Sequence, residues 1–193
     1  MKLKSLLCLS ALAASAFFLN GCSDDESSSF RFKSSEGDVI HLTGAKLYLT
    51  GEYEYKEHIY REYFISDGEL KESENGWGLG DYIGATYCLG VQLGVPIEDD
   101  FTPGVYPLSD WSEAEADENI GYIELKKETE YYNSTYNRDP VNVSGGFEGG
   151  EKMTLKFNGD ITYYYDQIES GWQEKEVTGE FNYSGKVIDK REP

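Results

Sequence analysis

The sequence is poor in cysteine, histidine and basic residues. Its 193 residues include three cysteines and two histidines, and 17 lysines and arginines stand against 36 aspartates and glutamates. The formal net charge of −19 at pH 7 argues against a nucleic-acid partner, because contacts with phosphate need a basic surface. Aromatic residues form 15% of the chain, with 16 tyrosines, which is far too many for a disordered protein. One globular domain is expected at this length.

Long apolar runs are also missing, except for one near the amino terminus. Residues 1–4 include two lysines, and residues 5–18 follow without a charged side chain. A run of about 14 residues is shorter than the ~20 that a transmembrane helix needs. It matches the apolar part of a secretory signal peptide, for which cleavage after Ala14 or Ser15 is one alternative.

The apolar run ends in Leu19-Asn20-Gly21-Cys22. This motif resembles the lipobox of bacterial lipoproteins, in which cleavage precedes the cysteine and acyl chains such as palmitate are attached to it. The resemblance implies a lipoprotein signal peptide over residues 1–21, with Cys22 as the lipidation site. Acyl chains on Cys22 give stable anchoring without a transmembrane helix.

The residues after the lipobox are acidic and rich in serine. Ser23-Asp24-Asp25-Glu26 resembles the short acidic export signal of Bacteroidetes-type surface lipoproteins. This resemblance implies a lipid-anchored, surface-exposed protein of the outer membrane, with the membrane as a partner through Cys22. A Ser- and Asp-rich stretch of this kind has little to bury, so residues 22–37 are predicted to be a flexible tether.

A single cysteine remains in the predicted mature chain. Cys8 lies in the predicted signal peptide and Cys22 in the lipobox, so Cys88 has no partner for an internal disulfide. A nucleophilic cysteine needs a neighbouring base. Cys88 instead falls within an alternating apolar pattern, where a small buried side chain is the expected role.

From residue 38 onward, apolar residues recur with a period of two, which is typical of β-strands. The clearest case covers residues 81–93, where the odd-numbered positions from Ile83 to Leu93 form an apolar face. Asn158-Gly159 predicts a tight hairpin turn between residues 153–157 and 161–165. The other predicted strands cover residues 38–49 with a break at Gly44, 56–66, 121–127, 177–183 and 187–188.

These strands number seven to nine, and long helical patterns are missing. The one helical candidate, residues 112–118, has no apolar stripe and would form at most one or two surface turns. We therefore predict an all-β fold, a single antiparallel β-sandwich or β-barrel domain over residues 38–190. Periodicity alone does not separate the sandwich from the barrel.

Three stretches resemble small Bacteroidetes-type lipoproteins that carry an all-β domain of unknown function. They are Thr102–Tyr106 (Thr-Pro-Gly-Val-Tyr), Asn158-Gly159 and Val177–Val187. The similarity covers roughly residues 79–188. It implies the fold and the location, and it assigns no functional residue.

Metal-binding motifs are missing. His41 and His58 lie in predicted strands, and Glu57 and Glu62 are near His58, but their spacing matches no zinc motif. Polar positions on a half-exposed sheet are the expected role of both histidines. The acidic stretches at residues 98–100 and 110–118 lack the glycine and the terminal acid of an EF-hand-like calcium loop. They are expected to be solvated loops, so no metal and no cofactor is predicted.

Catalytic motifs are missing as well. No nucleophile elbow, Ser/His/Asp set or phosphate-binding glycine loop occurs. Because the chain has 36 acids, some carboxylate pair would match the spacing of a glycosidase by chance, so the count is uninformative. We predict no catalytic residues and no enzymatic activity.

The excess of aromatic residues is the remaining clue to function. Trp77 and Trp111 lie in predicted turns, and Tyr164 is expected to face outward because Tyr163 and Tyr165 share the core face. Tyrosine and tryptophan suit sugar rings and partner surfaces, although tyrosine is also favoured on exposed strand faces. These three residues are the predicted ligand-binding residues of a non-catalytic binding or accessory module for carbohydrate or for another envelope protein.

Two alternatives stay open at this point. One is a structural envelope protein that contacts other proteins, which an apolar exposed patch without a cleft would favour. The other is a barrel that binds a small apolar ligand in its mouth, which an empty apolar interior would favour.

Overall fold

The computed structural model of the chain describes residues 28–68, 87–110, 115–127, 130–134, 138–167 and 171–191. The predicted signal peptide, the lipobox with Cys22, Trp77 and Trp111 lie outside these residues. Within them the fold is all-β, as predicted. None of the described residues is helical, so this part of the chain offers no helix that could cross a membrane.

Within the described residues eleven strands form one sheet, more than the predicted seven to nine. In chain order they are β1 (Ser29–Ser34), β2 (Val39–Thr43), β3 (Lys46–Tyr55), β4 (His58–Ser66), β5 (Tyr87–Pro96), β6 (Gly104–Pro107), β7 (Ile120–Lys127), β8 (Glu130–Ser134), β9 (Pro140–Gly145), β10 (Lys152–Gln167) and β11 (Gly171–Asp189).

The two longest strands, β10 and β11, pair with each other along most of their length, from Lys152↔Lys186 to Gln167↔Gly171. The other edge of β10 pairs first with β9 and then with β8. The other edge of β11 pairs first with β1 and then with β3. Each long strand therefore joins several shorter ones, and the strand order is β2-β1-β11-β3-β4-β5-β7-β8-β10-β9-β6.

Because β11 pairs with both β3 and β10, the pairings run in a closed circuit. The circuit passes through β11, β3, β4, β5, β7, β8 and β10 and returns to β11. The β11–β3 contact is parallel, with Val187↔Leu47 and Asp189↔Leu49 in register, so the prediction of a purely antiparallel sheet is wrong at this edge. The parallel arrangement arises because the end of the last strand closes the sheet against an early one.

Alternating side chains from nearly every strand fill the interior. Phe30, Leu47, Tyr63, Leu93 and Tyr183 are each at most 1% exposed and belong to one buried cluster. Burying such side chains stabilises the fold by about 1.5–3 kcal/mol each before entropy is counted. Burial alternates with a period of two in strands such as β1 and β9, whereas β4 and β5 are buried on both faces.

The amino-terminal boundary of the sheet lies within the segment that the sequence assigns to the tether. β1 pairs with β11 and β2, and its Phe30 and Phe32 are 1% and 2% exposed. The alternation in Ser29–Ser34 is only six residues long and follows a Ser-rich run. For this reason the sequence pattern does not predict a strand there. The domain therefore includes residues 29–37.

The predicted hairpin at Asn158-Gly159 is wrong. β10 continues through these residues, and Gly159 pairs with Gly179 of β11. Neither Asn158 nor Gly159 has the positive φ that a two-residue hairpin turn requires. A Cβ on Gly159 would lie 2.2 Å from Oδ2 of Asp139, so this glycine permits a close approach at the point where β10 changes partner from β9 to β8.

Candidate functional site

An open pocket of about 440 Å³ lies where β3 and β4 meet the loops that follow β5 and β9. Among the described residues, five carboxylates line it: Glu52, Asp99, Asp100, Glu148 and Glu151. Its apolar wall consists of Ile59, Phe101, Pro103 and Phe147, and Arg61 also lines it. Ligand-binding pockets commonly measure about 300–1,000 Å³, so this pocket has the size of a ligand site.

Arg61 is the organising side chain of the pocket. Its Nε donates to Oε2 of Glu52 at 2.7 Å, and its Nη2 lies 2.7 Å from Oε1 of Glu148. The guanidinium carbon lies 4.4 Å from the centre of the Phe101 ring, which adds a cation–π contact. With its side chain only 12% exposed, Arg61 is held from three sides.

Arg191, near the carboxyl terminus, completes a ring of ion pairs. Its Nη1 lies 2.9 Å from Oε2 of Glu52, and its Nη2 lies 2.9 Å from Oε2 of Glu148. Glu52 and Glu148 therefore each contact both arginines. The ring joins β3, β4, the loop after β9 and the end of the chain, and it fixes one wall of the pocket.

The apolar wall is anchored in the core. Phe147 is 5% exposed, and its ring centre lies 5.8 Å from that of Phe101. The hydroxyl of the buried Tyr63 donates to the carbonyl of Phe147 at 3.2 Å. Tyr106 packs beside Phe147 and donates to the carbonyl of Thr102 at 2.9 Å, which closes the Thr102–Tyr106 turn. The pocket is therefore preformed.

The remaining carboxylates leave the pocket acidic. Among the residues that the structure describes, the carboxylates of Asp99, Asp100 and Glu151 form no ion pair, and the Glu151 carboxylate accepts a hydrogen bond from the Glu148 amide at 2.9 Å. The described residues also contain no group of three or more metal-ligating side chains that could hold an ion.

A second polar cluster lies on the outer face of β4, β5 and β7. Nε2 of Gln92 donates to Oε1 of Glu62 at 2.8 Å. Register places Glu124 on the same face, since it pairs with Gly90, two residues from Gln92. Burial raises the pKa of Glu62, although the hydrogen bond from Gln92 acts to lower it. Burial likewise raises the pKa of Glu124, although the positive charge of Lys126 acts to lower it.

Glu62→Gln is expected to stabilise the protein at neutral pH. A carboxyl whose pKa is raised on folding binds its proton more tightly in the folded state, so the ionised form is destabilising above the folded pKa. The advantage of the variant should shrink as the pH falls and vanish below the unfolded pKa of about 4.3. Urea unfolding at a series of pH values measures it. Equal stability of the two proteins at every pH would contradict the assignment.

Tyr164 lies on this same outer face. Tyr163 packs against the core and stacks on Tyr132 with 4.6 Å between ring centres, so its neighbour Tyr164 faces the other way, as predicted. Tyr164 and Lys126 both pair with Tyr131, from the strands on either side of it, so the two residues share a face of the sheet. It is half-buried and far along the sheet from the pocket, so the structure does not bring it to the pocket residues.

His41, His58 and Cys88 do not line the pocket. His41 is exposed on β2, whereas His58 is 3% exposed and its Nε2 lies 2.9 Å from the carbonyl of Glu118. The half-exposed position predicted for His58 is therefore wrong. Cys88 is 4% exposed, and burial raises the pKa of its thiol to about 12, which confirms the predicted buried role.

The sequence alone predicts few of the pocket residues. Asp99 and Asp100 are recognisable in it only as part of an acidic stretch. Arg61, Phe101 and Phe147 carry no motif, because they come from β4 and from two separate loops and meet only when the sheet closes. No protein-family model, curated protein or solved structure matches this chain.

Proposed function

We propose that this chain is a bacterial outer-membrane lipoprotein whose all-β domain binds a carbohydrate, without catalysis, in the pocket beside Arg61. The observation that carries the proposal is a preformed pocket of about 440 Å³ that combines carboxylates with an aromatic wall. Carboxylate oxygens accept hydrogen bonds from sugar hydroxyls, and the rigid wall of Phe101 and Phe147 offers apolar contact.

The ion pairs of Glu52 and Glu148 favour a binding role over a catalytic one. Glu52 and Glu148 each contact two arginines. A glycosidase needs two carboxyls that reach the scissile bond, whereas the oxygens of these two glutamates are engaged by the guanidinium groups of the pocket itself.

The closed circuit of strand pairings supports a barrel rather than a sandwich for this domain. Its interior is occupied by large side chains such as Tyr63, Tyr132 and Phe157, each at most 2% exposed. A filled interior argues against an apolar ligand inside the sheet and favours a ligand at the end, where the pocket lies.

Lipid anchoring is tested at Cys22. We expect Cys22→Ser to abolish labelling with radioactive palmitate and to release the protein from the membrane fraction, since two or three acyl chains provide the anchor. Protease treatment of whole cells tests surface exposure of the wild-type protein. Persistent labelling of the variant would refute the lipoprotein assignment.

Carbohydrate binding is tested with the chain from Cys22 onward, carrying Cys22→Ser. In a thermal-shift screen of soluble oligosaccharides, a ligand at about 100 times its Kd adds ~2.7 kcal/mol of stability. We expect Phe101→Ala to weaken the binding found in the screen about tenfold or more. Val105→Ala is the control, because Val105 is close in sequence but 51% exposed and outside the pocket lining. Equal binding by both variants would remove the pocket from the proposal.

A further inference from the structure

We propose that the domain docks on the membrane of its own lipid anchor through a basic face of the sheet, which binds the phosphate groups of lipid headgroups. This inference rests on the proposed anchoring at Cys22 and adds an interaction surface to it. It follows from the charge of one exposed face and from the place where the chain enters that face.

The basic face consists of the outward side chains of five paired strands, β2, β1, β11, β10 and β9. The inward neighbours Phe32, Leu155 and Phe181 are buried, so the alternate side chains point to solvent. Directly paired residues share a face, and the register forms one exposed row of His41, Arg31, Asn182, Lys156 and Asn142. The next row consists of Thr43, Ser29, Ser184, Thr154 and Ser144. At about 4.8 Å between strands, the face is about 20 Å wide.

Basic side chains predominate on this face, although the chain as a whole has a formal net charge of −19. Its described residues include a single acid, Glu180, which lies opposite Lys33. The basic side chains are Arg31, Lys33, Lys152, Lys156 and Lys186. Arg31, Lys156 and Lys186 form no ion pair with any residue that the structure describes. Their charge is therefore available to an anionic partner.

The charges are segregated along β10 and β11. On the far half of these strands the outward side chains include Asp160, Glu174 and Glu176. Glu174 lies opposite Tyr164, which is about 25 Å along β10 from Lys156 at about 3.4 Å per residue. The screening length in physiological salt is about 8 Å, so distant acids act weakly on a surface that touches the basic face. A chain that is acidic overall can therefore bind an anionic surface through this face.

The predicted anchor is close to this face along the chain. β1 begins at Ser29, a member of the hydroxyl row, and Cys22 precedes it by only a short segment. Because an extended chain spans at most about 3.6 Å per residue, Cys22 lies within about 25 Å of Ser29. Lys152 and Lys186 extend the face on this same side, since they lie opposite each other one row beyond Ser184. The anchor therefore holds the basic face near the headgroups.

An open and laterally extended face suits a membrane surface better than a small ligand. None of its side chains lines the pocket. The hydroxyl and amide groups of the two rows can donate to phosphate oxygens, and each lysine or arginine near an anionic membrane surface strengthens binding about fivefold. The membrane is also the partner that the anchor already brings within reach, so docking on it is an intramolecular step.

The first test supplies the anchor synthetically. The chain from Cys22 onward is coupled through the Cys22 thiol to maleimide lipids, and Cys88 is spared because it is 4% exposed. Acetylation of single lysines is compared between vesicles of phosphatidylcholine alone and vesicles that also contain phosphatidylglycerol. We expect Lys156 and Lys186 to react about tenfold more slowly on the anionic vesicles, whereas Lys175, on the far half of β11, keeps its rate within about twofold. Equal rates on both kinds of vesicle would overturn the inference.

The variant Arg31→Gln/Lys156→Gln tests the assigned residues without coupling, in the chain from Cys22 with Cys22→Ser. Its partition onto vesicles that contain phosphatidylglycerol, measured by sedimentation at low salt, should fall about tenfold or more. The control is Arg138→Gln/Lys175→Gln, which removes the same charge from exposed side chains outside the face. The control should bind within about twofold of the chain without these substitutions. Equal losses in both variants would reduce the effect to net charge and overturn the inference.

The remaining outcomes separate this inference from the proposed function. If a soluble oligogalacturonate protects Lys156 and Lys186 and phosphatidylglycerol vesicles do not, the partner is an anionic glycan and the membrane assignment is overturned. If palmitate labels Cys22 in cells but the coupled chain leaves both lysines unprotected, the anchor stands and the inference alone is overturned. If Cys22 carries no palmitate, the anchoring in the proposed function fails, and the inference that rests on it fails too.

Discussion

Gly145→Ala is expected to lower the melting temperature by about 10 °C, since each kcal/mol shifts Tm by about 2–4 °C in a protein of this size. Gly145 ends β9 with φ of +95°, which costs an alanine about 1–2 kcal/mol. A Cβ at this position would also lie 2.0 Å from the carbonyl oxygen of Lys152. Because that obstacle is backbone, relief requires β9 or β10 to move, which costs about another 1–3 kcal/mol.

Gly150→Ala is the matched control for this effect. Gly150 lies in the loop that follows β9 and has φ of +86°, but a Cβ there would meet nothing within 4 Å. Its substitution should cost only the backbone strain of about 1–2 kcal/mol. Thermal unfolding of the three proteins compares the two costs, and equal shifts for both variants would show that the close approach of Lys152 contributes nothing.

Much of the sheet was predictable from residue alternation, because a strand with one face on a core must repeat every two residues. Residues 121–127 illustrate this, since Ile123 and Leu125 are buried as the pattern indicated. Gly44, where residues 38–49 were expected to break, separates β2 from β3 with φ of +79°. Both inferences used only residues adjacent in sequence.

Inferences that depend on distant residues were less successful. Asn158-Gly159 has the composition of a turn, yet β11 pairs across it and holds it extended. The parallel contact between β11 and β3 joins opposite ends of the domain, and no local pattern encodes it. The pocket has the same origin, because its walls come from strands and loops that become neighbours only in the closed circuit.

Arg61→Met is expected to destabilise the protein by about 2 kcal/mol. Removing one partner of a buried ion pair costs about 3–5 kcal/mol, and the partial exposure of Glu52 and Glu148, 39% and 51%, reduces this because water screens the charges that are left. Methionine keeps much of the apolar stem but loses the contacts with both carboxylates and the Phe101 ring. Urea unfolding at low salt measures the difference.

Lys175→Met is the control for Arg61→Met, because it removes one positive charge from an exposed pair. Lys175 contacts Glu36 at 2.8 Å, but the two side chains are 51% and 31% exposed, so the loss should stay within about 0.5 kcal/mol. Arg61→Lys should lie between the two, since an ammonium keeps the charge but cannot hold Glu52 and Glu148 together while stacking on Phe101. If Arg61→Met costs no more than Lys175→Met, the ring of ion pairs is a surface feature, and the pocket wall takes its rigidity from Phe147 and the core alone.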